Sequence, residues 1–223
     1  MAPQKDLWYT DHVIGENGLI NKRLFDPDKA LMYASIPKKD LVVYDKDREI
    51  SHLRRTRPIF NDIKTNESTL VVQIAGSCHD EGGDSAQAGW QVFFGRDHTA
   101  SSKWNSRGPL NRAMKQTAWS ALVEALRYAM DDIEQMIAVH PKIKDIRIAS
   151  VSSELVDIMT VKIWDWTKHD APEDDPVPCF LRIKAVHNKI ESLVSDGYDV
   201  KFWQIPQDTN NDDWRMVGWR ITL

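Results

Sequence analysis

A chain of 223 residues, 42% of them hydrophobic, can bury a proper core as one domain with an extension, and no stretch approaches the length of a membrane span. Acidic residues outnumber basic ones by 33 to 29, a net charge of -4, which argues against a surface coated throughout for phosphate but leaves room for a local basic patch. Met1–Thr10 carries Lys5 and Asp6 where a secretory signal needs an apolar run, and Cys78 and Cys179 lack metal-ligand spacing and are too few for a disulfide framework. An intracellular protein, cytoplasmic or nuclear and with free thiols, is expected.

Residues 1–68 show weak periodicity and many charges, with one short strand pattern at Leu41–Tyr44 and a basic stretch from His52 to Arg57. They read as an extension that wraps or precedes a main domain over 69–223. From Thr69 the pattern sharpens. Leu70–Ile74 is short, β-branched and followed by Gly76, which predicts a buried strand closed there. A Gly-rich turn, Glu81–Asp84, leads to a second strand over Gly89–Phe94. A third, short strand fits near the turn-rich loop Trp104–Pro109. Ala118, Leu122, Ala125, Leu126, Ala129, Ile133 and Ile137 share one face at helical spacing. Ile146–Ala149 predicts a fourth strand, and Ser152 is placed to cap a helix with Leu155, Ile158, Met159, Ile163 and Trp166 on its apolar face. Pro172 and Pro176 bound the acidic loop Glu173–Asp175. A third helix carries Phe180, Ile183, Val186, Ile190 and Leu193 and ends near Gly197; Val200–Ile205 is a last strand, and a short helix starts near Asn211. This order predicts an α/β domain with a mixed five-stranded sheet and helices on both faces.

Several motifs in this order resemble the ribonuclease H family, in particular the ribonuclease H-like proteins of filamentous fungi. Ile74-Ala75-Gly76-Ser77-Cys78 followed by Ala88-Gly89-Trp90-Gln91-Val92-Phe93-Phe94-Gly95 is similar to the family's first hairpin. Gly108-Pro109-Leu110 precedes the long helix as in the family, and the run from Val200 to Pro206 is similar to its final strand. The likeness covers roughly Thr69 to the C-terminus. It implies a site where four carboxylates hold two divalent metal ions, one ion activating water and the other stabilising the leaving oxygen. By their flanking residues, three of those positions carry Ala75, Ala118 and Val151 here. The fourth falls on Asp213 or Trp214. Small or apolar replacements relieve the repulsion among buried acids while ending metal chemistry, so the resemblance implies a catalytically degenerate member with no cofactor.

Other residues around this site have two readings each. Asp80, Glu81, Asp84, Glu154 and Asp208 either rebuild a metal site or are solvated charges. His79 and Asp80, beside Ser77 and Cys78, either form a base and nucleophile or sit on a polar rim. Arg54, Arg55 and Arg57 either meet phosphate or pair with acids elsewhere. Trp104, Trp119 and Trp214 either stack on bases or pack in the core, and Ser152 lines the groove or caps its helix. Two functions remain open. One is a non-catalytic module that binds RNA, DNA or a protein partner through the inherited groove; the other is an enzyme of changed, metal-independent chemistry in the same cleft.

Overall fold

In the computed structural model, residues 11, 13–14, 18, 20–57, 62–96, 101–168 and 179–206 are described. A small ribbon of β1 (Val13–Ile14) and β2 (Ile20–Asn21) stands outside the main sheet. Next come β3 (Leu24–Phe25), α1 (Leu31–Ala34), α2 (Lys38–Leu41), β4 (Val42–Asp45) and β5 (Ile50–Arg57). The central part is β6 (Asp62–His79), β7 (Gln87–Phe93), β8 (Ser106–Pro109), the long helix α3 (Ala118–Val139) and β9 (Asp145–Ser150). The stretch after Ser152 is α4 (Ser153–Asp157), a π-helical turn (Ile158–Lys162) and α5 (Ile163–Lys168), followed by α6 (Phe180–Ser195) and β10 (Asp199–Gln204).

Parallel strands β6, β9 and β10 lie side by side, β7 runs antiparallel to β6, and β8 lies outside β7. The order β8-β7-β6-β9-β10 with these directions is that of a ribonuclease H-like α/β fold. Ile74 and Ile148 stand on neighbouring parallel strands, with Val72 opposite Ile148 in the register. The five expected strands are therefore present, but among the described residues the sheet has eight, because residues before Thr69 add β3, β4 and β5 to it. Val71 is opposite both Ser51 and Arg147, and Gln73 is opposite both Phe93 and Ala149, so β5 and β7 follow one another along the same edge of β6. The position 68/69 falls inside β6.

Two details differ from the pattern in the sequence. Gly76 does not close its strand, which continues to His79. A Cβ at Gly76 would stand 2.2 Å from the Leu122 nitrogen and 2.5 Å from the Ala118 oxygen, so glycine is there to let the backbone of α3 touch the sheet. The basic stretch His52–Arg57 is strand rather than wrapping coil, because its first half is buried between β4 and β6. The helix expected near Asn211 lies outside the described residues.

One face of the sheet is covered by α3 and α6, whose apolar stripes pack on Leu70, Val72, Ile74, Ile146, Ile148, Val200 and Phe202. The two helices run parallel at a constant offset: Arg182 binds Glu124 and Lys189 binds Asp131, each across 58 residues. The opposite face is covered by α1, α2 and their flanks. There Phe25 meets Tyr33 and Trp203 edge-on at 5.2 and 5.5 Å, over Leu53, Val71 and Ala149. This second face also buries charge. Arg147 and Lys201, opposite one another on β9 and β10, both bind Asp11; the Arg147–Asp11 contact is 2.6 Å.

Candidate functional site

Parallel strands end together, and the residues at their carboxyl ends are the natural place for a site in a sheet of this kind. Here β6 and β9 finish in step: Gln73 is opposite Ala149, so Ala75 and Val151 each lie two residues beyond one aligned pair. Alternation along β6 puts Val71 with the second-face cluster and Leu70, Val72 and Ile74 with the first, so Ala75 points to the second face. Val151 packs against that same cluster. Ala118 opens α3 on the other face, its carbonyl against Gly76. The three positions thus gather at one end of the sheet, with Ala75 and Val151 on one face and Ala118 on the other.

Around them stand Ser77 opposite Gly89, exposed His79, and Asp80 at φ 54 just past the strand. Asp80 accepts from Ser85 Oγ within its own turn. Glu81 reaches back to α3, where its carboxylate accepts the Ala118 N–H at 3.4 Å. A carboxylate there is favoured by the partial positive charge of the helix start. Thr117 completes the cap by accepting the Ser120 N–H at 3.0 Å. Among the described residues, no three His, Cys, Asp or Glu side chains converge where they could hold an ion. Asp208, Asp213 and Trp214 lie outside those residues.

The nucleophile reading finds no activation. The Cys78 S–H donates to the carbonyls of His79 and Gln116 at 3.5 and 3.3 Å. Loss of water around it, together with the Glu81 carboxylate, pushes its thiol up, away from the thiolate form. Ser152 serves as a helix cap, accepting the Leu155 N–H at 3.2 Å. Trp119 lies in the first turn of α3, half-buried against the core. Trp104 is set back from them: it lies two residues before Ser106, which is opposite Val92, itself opposite Ile74. Its indole N–H is buried without a hydrogen-bond partner among the described residues, and the Lys103 ammonium lies 5.8 Å from its ring.

The functional candidates missed by motif reading are the cations beside this end. From residue 98 to residue 123 the chain has no acid but carries Lys103, Arg107, Arg112 and Lys115. Arg107, on β8, and Arg112 and Lys115, on the link to α3, are exposed and make no ion pair among the described residues. Gln116 ties that link down: its side chain accepts the Ala88 N–H at 3.0 Å and donates to the carbonyls of Asn111 and Met114 at 2.9 and 3.0 Å. The run without acids is the sequence signal that could have found them. Among the described residues, no helix is long and apolar enough to cross a membrane.

No protein-family model matches the chain, and no curated protein matches it. Among solved structures it is similar to the native Prototype Foamy Virus protease-reverse transcriptase, at 15% identity and a TM-score of 0.48, over 63% of this chain and 18% of that one. It is similar to the RNase H domain of the same virus at 15% identity and a TM-score of 0.46, over 63% of this chain and 81% of that one. LC11-RNase H1, isolated from compost by a metagenomic approach, is 17% identical with a TM-score of 0.42, over 64% of this chain and 88% of that one. The chain thus spans less than a fifth of the length of the viral protease-reverse transcriptase it matches.

Proposed function

We propose that this chain is a non-catalytic, nucleic-acid-binding module built on a ribonuclease H-like fold. The observation that carries the reading is the side-chain chemistry where β6, β9 and α3 meet: Ala75, Ala118 and Val151 offer no oxygen ligand. The nearest acids in sequence, Asp80 and Glu81, are engaged by Ser85 and by the start of α3. Hard divalent cations need oxygen ligands, preferably charged ones, and each missing carboxylate removes both a ligand and a compensating charge. Binding is supported by Arg107, Arg112 and Lys115 flanking the same end, which make no ion pair among the described residues and are fit to meet backbone phosphates as forks and point charges.

Two measurements test this reading. The purified chain, incubated with magnesium or manganese, leaves an RNA–DNA hybrid uncut; metal-dependent cleavage of the RNA strand would overturn the non-catalytic part. It binds a labelled duplex with an affinity that falls as salt rises, and the triple variant Arg107→Glu, Arg112→Glu, Lys115→Glu loses about tenfold or more. Unchanged binding by that variant would remove this surface from the proposal. The variant Ala75→Asp, Ala118→Glu, Val151→Asp tests the assignment of positions, since a gain of manganese binding is expected only where the three lie within reach of shared ions.

A further inference from the structure

The hairpin formed by β5 and β6 carries a second cationic surface, distant from the first. Beyond the pair Leu53–Asn66 the two strands pair, among the described residues, with no other strand: β4 reaches no further than Leu53, and β9 begins opposite Thr69. Arg54 is opposite Thr65, Arg55 opposite Lys64, Thr56 opposite Ile63 and Arg57 opposite Asp62. The result is a two-stranded ribbon extending past those strands, held towards its outer end by the Thr56 hydroxyl donating to the Met32 carbonyl of α1 at 3.0 Å.

The acids of this ribbon are already taken. Asp62 is clasped by Arg57 through two hydrogen bonds, at 2.8 and 2.5 Å, and Glu67 binds Arg48 at 3.0 Å. Arg54, Arg55 and Lys64 are left with no ion pair among the described residues. Arg55 and Lys64 face each other directly across the ribbon, an arrangement that like charges disfavour. An anion between them would remove that repulsion. Lys64 lies eleven residues before Ala75 on the same strand, roughly 35 Å at the usual rise of about 3.3 Å per residue, so this surface is separate from the cations at β8 and α3.

We propose that the β5–β6 ribbon is an arm that grips the phosphate backbone of double-stranded nucleic acid through Arg54, Arg55 and Lys64. The inference rests on the nucleic-acid reading above and adds a second point of attachment. A duplex fits the ribbon because its phosphates recur on both sides of a groove wide enough to admit a two-stranded β-ribbon. Contacts of this kind position the protein without reading sequence.

The test uses the full chain, a fluorescein-labelled 20-base-pair DNA duplex and fluorescence anisotropy at several salt concentrations. The variant Arg54→Glu, Arg55→Glu, Lys64→Glu is expected to weaken binding about tenfold or more and to flatten the plot of log affinity against log salt by about two to three, near one per lost phosphate contact. The milder Arg54→Gln, Arg55→Gln, Lys64→Gln variant gives the same direction with less risk to folding, and thermal melting checks both. If the parent chain binds duplex, the β8–α3 variant weakens it and the ribbon variants do not, the arm is overturned and the proposed function stands. If only the ribbon variants weaken it, the arm stands and the β8–α3 surface falls. A parent chain that binds no duplex overturns both. Ribbon variants that keep duplex binding but lose binding to polyglutamate would assign the arm to an acidic polypeptide and overturn the proposal.

Discussion

The two faces of the sheet are built by different means. On the first, α3 and α6 lay regular apolar stripes over β6, β9 and β10, and charges gather at the seam where Arg182 and Lys189 meet Glu124 and Asp131, with Arg23 alone of the described cations buried against His187 of α6. On the second, short segments from before β4 cover aromatic side chains, and Arg147, Lys201 and Asp11 are buried with them. Arg147 lies under the Phe25 ring at 5.2 Å and its Nε has no hydrogen-bond partner among the described residues. The first face draws its stability from close apolar packing. The second depends on matched charges brought together by remote parts of the chain, Asp11 and Arg147 being 136 residues apart. Geometry should therefore break the first face, and charge the second.

The largest effect is expected from Gly76→Ala. Its new Cβ would meet the α3 backbone, which cannot swing aside as a flexible side chain can. A loss of more than about 4 kcal/mol is expected, read as a chain that no longer melts cooperatively. A melt unchanged from the parent would show that α3 does not touch the sheet there. Next is Arg147→Met, which keeps the bulk but removes the buried cation from Asp11 and Asp199, for a loss of about 3 kcal/mol in denaturant titration. Adding Asp11→Asn should cost less than the two single losses summed, because the Arg147–Asp11 contact is lost only once, while Lys201 holds Asp11 in the single variant. Purely additive losses would deny the pairing.

The sequence made the first face legible for the same reason that it is regular. Ala118, Leu122, Ala125, Leu126, Ala129 and Ile133 repeat at helical spacing and need no knowledge of what they pack on. The long strand was partly hidden, because Gly76 reads as a break when only local propensity is weighed; its cause is a helix some forty residues later. The second face was not legible. Arg147 and Lys201 look like solvent-facing residues of strands, and nothing local to Asp11 announces that it will neutralise them. At the site, Ala75, Ala118 and Val151 stand at one end of the sheet, and nothing in their flanking residues tells which face each takes. Trp104 stands with them by residue type alone, since nothing local shows that it lies two residues before the position level with Ile74.

Titration separates the faces in another way. Burial pushes His52 and His187 below their usual value near 6.5, despite the Thr69 carbonyl on His52, and Arg23 adds to the effect at His187. Both are therefore favoured as neutral rings in the fold, and their contribution is full above pH 6.5 and lost as pH falls through the lower folded values. Asp11 behaves alike at lower pH. Burial alone would raise its carboxyl, but Arg147 and Lys201 outweigh that and hold it below 3.8, so its contribution is kept above that value and lost only below it. Denaturant titrations across pH should show stability falling in two stages. His52→Gln and His187→Gln should flatten the upper stage and Asp11→Asn the lower; a profile flat from pH 7 to 5 would show that neither histidine is protected.

The smallest effect distinguishes scaffold from binding surface at the end of β9. Ser152 is the cap of α4: its side chain accepts the Leu155 N–H at 3.2 Å, and its own N–H donates to Ser150 Oγ at 3.2 Å. Ser152→Ala leaves the Leu155 N–H unsatisfied, for a loss of about 1 kcal/mol, which lowers Tm by roughly 2–4 °C in a chain of this size. Ser152→Asp should keep the cap, since a carboxylate accepts the same N–H and suits the start of a helix. The Ala variant is also expected to bind duplex as the parent does, because the hydroxyl is spent on the backbone. A Ser152→Ala chain that melts like the parent and loses duplex affinity would reverse the assignment and move Ser152 from the scaffold into the binding surface.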